Sequence, residues 1–382
     1  MKKQVSAILA AGMAASLLVG CGGAASSAAS STAESTSTAA SSEAAAATTE
    51  AGQAADITLW TYPIGKWGDS ESVDALLADF NAKYPDIHVT VEYLDYTNGD
   101  DQVNTAIEGG SAPDLVMEGP ERLVANWGAK GLMVDLSDLW TDDQKADISA
   151  SVEAACKDSS GAYYEFPLCM TAHCMAINKT VFEAAGAMQY VDAENHTWTT
   201  ENFLKAVQAV YDSGKTDVGA LYCSGQGGDQ GTRALVNNLY GGTFTDDAHT
   251  KYTADSAENV KALEALKAQD GINFDASING GEEITLFRNG TLQMAFCWNI
   301  AQQKNEDNGP AGTTNSGDEI LFMGFPSESG KPALQGGIWG FGIFNNGDDN
   351  KIAAAKTFIN FMANSEETAK AVKTSSYFSV KN

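Results

Sequence analysis

Arginine is nearly missing from this sequence, standing only at Arg122, Arg233 and Arg288. Lysine and arginine together number 23 against 50 aspartates and glutamates, so the formal charge is −27. A polyanion must be met by a basic face, so this balance excludes nucleic acid and disfavours phosphate-rich ligands. A neutral or cationic small molecule suits it better. Cysteine is also sparse. Five cysteines follow Cys21, namely Cys156, Cys169, Cys174, Cys223 and Cys297, and an odd number leaves at least one without a partner in the body. Cys169 and Cys174 with His173 could form a metal site or a small disulfide loop, but no second Cys/His pair follows at zinc-like spacing. Buried free thiols are the preferred reading. The disulfide state of Cys169 and Cys174 stays open. Neither Gly-x-Ser-x-Gly nor His-Glu-x-x-His occurs, and no motif calls for a cofactor or a metal.

Apolar runs of membrane-spanning length are absent as well. The longest candidate, from Val5 to Val19 behind Lys2 and Lys3, is too short to span comfortably. A basic head and a medium apolar run ending in small residues describe a secretory signal over 1–20. Leu18-Val19-Gly20-Cys21 resembles the bacterial lipobox, in which the Cys becomes the lipidated first residue. Residues 24–55 are almost entirely Ala, Ser and Thr, with too little apolar surface to offset the entropy of ordering. Such a coil reaches on the order of 30 Å. A tether over 21–55, anchored at a cell membrane on its extracytoplasmic face, is expected.

The body from residue 56 onward is long enough for two ordinary domains. Ile57 to Trp60 reads as a buried strand. Asp69 or Ser70 caps a helix carrying Val73, Leu76, Leu77, Phe80 and Tyr84 at helical spacing, which Pro85 stops. Ile87, Val89, Val91 and Tyr93 alternate as a strand. A helix with Val103 and Ile107 ends at Gly109-Gly110, and a brief strand covers 114–117. Further helices are expected over 179–185, 200–211, 257–269 and 349–362, and strands over 218–223, 292–298 and 337–344. Alternating strands and helices predict an α/β fold of two lobes built on parallel sheets.

Several stretches, taken in order, resemble the extracellular solute-binding proteins of ABC importers, most closely the sugar-binding, maltose-binding-protein-like group. Ser111-Ala112-Pro113-Asp114-Leu115-Val116 is similar to its "PDxV" strand, and Gly131 to Leu136 to its "GxxxDL" stretch. Thr197-Trp198-Thr199-Thr200-Glu201-Asn202-Phe203 resembles the "TWxEF" helix start, and Phe287 to Met294 the "F..GxxAM" segment. Gly336-Gly337-Ile338-Trp339-Gly340 and Phe358 to Met362 are also similar. Two departures stand out. Ala176-Ile177-Asn178-Lys179 replaces a frequent Tyr-Tyr-Asn-Lys, and relatives usually continue past the segment resembling Ser375 to Val380, so the chain reads as truncated. The resemblance implies a periplasmic-binding-protein-like fold with chain crossings near Phe166-Pro167, near Phe296 to Trp298 and near Phe344. It divides the body into lobe 1 at 56–167 with 298–344, and lobe 2 at 168–297 with 345–382. It also implies a hinge that closes on ligand and a monomer that hands its cargo to permease subunits.

A sugar offers C–H faces to aromatic rings and hydroxyls to side-chain acceptors and donors. In open α/β sheets ligands sit beyond the carboxyl ends of strands. Residues just after strands are therefore the candidates: Tyr62, Trp67, Glu118 and Trp339. Trp298 and Asn299 join them where related sugar binders carry a stacking Trp. The Gly225 to Gly231 loop adds Gln226, Asp229 or Gln230; it lacks the Lys-Ser/Thr ending and basic company of a phosphate cradle. Each candidate has a structural alternative: core packing for the aromatics, and a helix N-terminal dipole role for Glu118. Glu282-Glu283 reads as a solvated face. The functional expectation is capture of a carbohydrate without chemistry. Its alternatives are a secreted glycoside hydrolase, which needs two opposed carboxylates, a binder of polyols, polyamines or peptides, and a surface adhesin.

Overall fold

The computed structural model describes residues 54–224, 230–246, 250–306, 309–333 and 335–382. Cys21, the tether, Gln226 and Asp229 lie outside the described residues. Strand β1 (Ala55–Thr61) buries alternate side chains and leads through a short turn to α1 (Ser70–Lys83). Asp69 caps α1 by accepting from the Ser72 amide at 3.0 Å, and Val73, Leu76, Leu77 and Phe80 form its buried stripe. Then come β2 (Ile87–Tyr93), α2 (Gly99–Glu108), β3 (Leu115–Glu118) and α3 (Pro120–Arg122), which widens into a π turn over Leu123–Gly128. Short helices α4 (Asp142–Asp147) and α5 (Ala150–Ala155) precede the long strand β4 (Phe166–Asn178).

The chain continues through α6 (Lys179–Ala184), α7 (Thr200–Asp212), β5 (Gly219–Tyr222), α8 (Gln230–Tyr240), α9 (Ala257–Ala268) and β6 (Ile272–Asp275). Next are α10 (Gly280–Arg288), β7 (Met294–Trp298), α11 (Ile300–Lys304) and β8 (Ile320–Met323). The last elements are β9 (Gln335–Ile343), α12 (Asp349–Ala363), α13 (Thr368–Ser375) and β10 (Phe378–Ser379).

β1 pairs in parallel with β2 and β3, β3 runs antiparallel to β9, and β9 antiparallel to β4. The far half of β4, from Cys174, pairs instead with β7 and β8. One strand thus serves two hydrophobic cores. The first holds residues from Ala55 to Cys169 and again from Trp339 to Val380. The second runs from Met175 to Phe325, with a satellite around Phe287 and Trp298. These are the two lobes of an α/β fold.

The partition corrects the expected one. Residues 298–325 pack with the second lobe, through Trp298, Ile320, Met323 and Phe325. Residues 345–380 belong to the first lobe, because Phe358 and Phe361 of α12 meet Phe80 of α1 edge-on at 5.2 and 5.3 Å. The chain passes between cores at 169–175 and at 325–339. The passages expected near Phe296 to Trp298 and near Phe344 are not seen among the described residues.

Candidate functional site in the cleft between the lobes

A cavity of about 420 Å³ lies between the two cores. Asp100, Glu121 and Arg122 form its first-lobe wall, and Gln230 and Arg233 on α8 face them from the second. His173, Gln335, Gly336 and Gly337 make a floor from the two strands that pass between lobes, where His173 pairs in register with Gln335. Trp339 completes the lining.

The first-lobe wall grows out of the end of β3, the short α3 that follows it, and the first turn of α2. Glu118 closes β3 with its side chain buried and accepts from the Gly119 amide. Arg122, one turn later, reaches Glu118 at 3.1 Å and grips Asp100 with two parallel bonds of 2.7 and 3.0 Å. This two-toothed geometry is what a guanidinium offers and an ammonium does not. Tyr62 donates to the same Asp100 at 2.5 Å, lies beneath the Arg122 guanidinium, and stacks on Tyr96 at 5.2 Å. Burial, then the bond to Asp100, pushes the Tyr62 phenol well above its ordinary range. Burial also raises Glu118 to about 8, although Arg122 pulls the other way. Behind them Glu165 is fully buried with neither carboxylate oxygen partnered. Burial, with Glu121 and Glu118 adding to it, holds its proton on.

The aromatic face has its own local logic. Trp339 is 7% exposed and stacks on Tyr377 at 5.0 Å. A Cβ at Gly337 would sit 2.1 Å from the Trp339 ring, so the indole lies across the strand only because that position is glycine. At the floor, His173 is 5% exposed and its Nδ1 is buried without a partner. Burial, then the nearby Arg233 charge, lowers this imidazole to about 4. It stands neutral at ordinary pH where it lines the cavity floor.

The candidates read from sequence fall into three groups. Trp339 lines the cavity, and Tyr62 and Glu118 support it from behind through Asp100 and Arg122. Trp67, Trp298 and Asn299 lie elsewhere. Trp67 is fully buried in the first core, edge-on to Phe341 and donating to the Ala371 carbonyl at 3.2 Å. Trp298 is fully buried against Phe287, under Arg288, and donates to Gln303 at 3.0 Å. It borders a separate cavity, together with Ala172 and Cys174. Those two flank His173 on β4, so that space opens on the opposite face of the strand from the cleft. Asn299 caps α11, accepting from Ala301 at 2.9 Å.

Gln230, a candidate of the glycine-rich loop, lines the cavity; Asp100, Glu121, Arg122, His173, Arg233 and Gln335 were not singled out from sequence as ligand contacts. The available signal was scarcity: two of the three arginines face this one cavity. Glu283 also differs from its expected solvated face. It is fully buried and accepts from the Phe296 and Cys297 amides at 2.6 and 2.9 Å, and burial raises it to about 8 despite them. Glu282 beside it is the exposed member, closing a capping box with Asn279.

Two cores, strands running between them and a polar cavity with one aromatic face define a two-lobed small-molecule capture protein. The chain belongs to the bacterial extracellular solute-binding protein family, which it matches over residues 65–369. Its fold is similar to that of an ABC substrate-binding protein of Listeria monocytogenes in complex with cycloalternan. That likeness has 20% identity and a TM-score of 0.66, and covers 86% of this chain and 80% of that one. It is similar, too, to an Agrobacterium radiobacter solute-binding protein in complex with ribitol (21% identity, TM-score 0.69, 86% and 81% covered). A maltose-bound protein of T. maritima gives 18% identity, a TM-score of 0.67 and coverage of 86% and 82%. No curated protein matches by sequence. The family and these structures are binding proteins, and membership implies a small-molecule ligand and a transporter permease as partners. Among the described residues no helix is long and apolar enough to cross a membrane.

Proposed function

We propose that this chain captures a carbohydrate in the interlobe cavity, closes on it, and delivers it unchanged to an ABC permease. The observation that carries this reading is the cavity's composition. One indole face, a neutral imidazole, the amides of Gln230 and Gln335, and Glu121 and Arg233 beside the Asp100–Arg122 pair offer stacking to C–H faces and acceptors and donors to hydroxyl groups. The sugars and polyols bound by proteins of like fold support the same reading. A hydrolase would need one carboxyl free to give a proton and another free to attack or activate water. Asp100 is instead engaged by Arg122 and Tyr62, and Glu118 by Arg122 and the Gly119 amide. Lipidation at Cys21, with the tether holding the body at the outer face of the cell membrane as a monomer, completes the proposal.

The test is a thermal-shift screen of the purified chain against mono- and oligosaccharides, polyols, polyamines and short peptides, with product analysis of each hit. A carbohydrate that raises the melting temperature and is recovered intact is the expected outcome. Trp339→Ala should weaken that ligand at least about tenfold, as loss of one stacking face implies; it also truncates a core side chain, so affinity is read at a temperature well below the variant's own melting point. Sustained product release, or a shift with polyamines or peptides alone, would sink the reading.

A further inference from the structure

A second and larger cavity, of about 880 Å³, runs along the second lobe and shares Arg233 and Gln335 with the cleft. Its walls are the last turns of α8, the loop from Gly241 to Asp246, and the segment Ser327 to Ala333 that leads into β9. The shape is held in place by backbone-directed amides. Asn238, 8% exposed, donates to the carbonyls of Ala234 at 2.8 Å and Ala333 at 3.0 Å, and accepts from the Ala333 amide at 2.7 Å. This ties the passage between lobes to α8. On the other bank Asn259, 1% exposed, donates to the Thr243 carbonyl at 2.8 Å, and a Cβ on Gly242 would fall 2.0 Å from its Oδ1. That glycine lets the loop fold tightly against the helix behind it.

The lining is chemically different from the cleft. Asn237 presents a buried Oδ1 with no partner, Tyr240 and Phe244 supply rings, and Thr243, Ser327 and Ser329 supply hydroxyls. Lys261 sits 3.6 Å from the Tyr240 ring centroid, which fixes that ring from one side. Arg233, Asp246, Glu328 and Lys331 add charges of both signs to the lining, and between them the amides, hydroxyls and rings offer a carbohydrate hydrogen bonds and stacking faces that continue outward from the point where Arg233 ends the cleft.

We propose that this groove is an extension subsite, so that the ligand is a carbohydrate chain of three or more units. One end of the chain is gripped in the cleft and the remainder lies along α8 and the loop after it. The inference rests on the carbohydrate reading of the cleft.

The experiment is titration calorimetry of the full chain with malto-, xylo- and galacto-oligosaccharides, each supplied as mono-, di-, tri- and tetrasaccharide. In the series that binds, affinity should climb at least about tenfold from di- to tetrasaccharide, the gain expected from a few added hydrogen bonds and one ring contact. Ser329→Trp, at an exposed position, should fill the groove and erase the climb while disaccharide affinity stays within about twofold. Phe244→Ala should lower the tetrasaccharide alone by about fivefold. Affinity independent of length would overturn the groove and leave the cleft reading standing, as would variants that lose di- and tetrasaccharide equally. No binding of any saccharide at any length would take down the carbohydrate reading, and the groove with it.

Discussion

The two walls of the cleft are made by opposite means. In the first lobe, Asp100, Glu118, Arg122 and Tyr62 close a charged network among themselves, so the wall keeps its shape with no ligand present. In the second lobe, α8 projects side chains toward the cleft and groove, and Asn238 spends its bonding on the backbone of the passage rather than on neighbouring charges. A network that satisfies itself is preorganised and contributes geometry; the facing wall, with the Gln230 amide and the Arg233 guanidinium, contributes contacts. The difference teaches that specificity for a particular solute is more readily altered from the α8 side.

The largest expected effect tests whether the lobes are separate in energy as well as in contact. Trp298→Ala should cost about 3–5 kcal/mol of stability by opening a cavity in the second lobe. The first-lobe network should survive it. Differential hydrogen exchange over α3 and β3 checks this, and equal loss of protection in both lobes would break the comparison. Arg122→Ala comes next, at about 3 kcal/mol. That is the low end for breaking a buried pair, because the Asp100 side chain is 31% exposed. Chemical denaturation measures it. Arg122→Lys should fail to restore the loss, since an ammonium cannot make the two-toothed grip.

A pH series sharpens the contrast further. Glu118 and Glu283 are held up at about 8 and Glu165 is raised as well, all by burial first. The folded chain therefore keeps protons that the unfolded chain releases, and stability should fall as pH climbs from about 5 toward about 8. Glu165→Gln should flatten that slope by up to about 1.4 kcal/mol per pH unit, one proton's worth. A wild type that gains stability across this window would contradict the assignment. The smallest effect belongs to His173 on the shared strand. His173→Phe removes one hydrogen bond to ligand, weakening binding about five- to tenfold by titration. The melting temperature should hold or rise, because the buried Nδ1 had no partner to lose.

Much of the fold was legible because each signal was local. The Asp69 cap, the Val73 to Phe80 stripe and the alternation of Ile87 to Tyr93 follow from nearest neighbours along the chain. What escaped depends on distant partners. Phe358 and Phe361 mark a buried helix face but carry no information about which lobe buries it. Strand β4 changes partners halfway, so its residues show no single alternation to read. Trp298 was misplaced for a geometric reason. The pairing of β7 with β4 slips between Cys174 and Ala176, and one extra residue in a ladder turns the following side chains to the other face. Trp339 was legible because glycines crowd around it, whereas the Asp100–Arg122 pair joins elements that local patterns cannot connect.

The stack of Trp339 on Tyr377 carries a practical corollary. The platform that faces the cleft is propped by a ring 38 positions further along the chain, just past α13. Exchanging Tyr377 for alanine would spare every residue that lines the cleft and still leave the indole free to rock, so Tyr377→Ala should blunt capture without touching the ligand's own contacts.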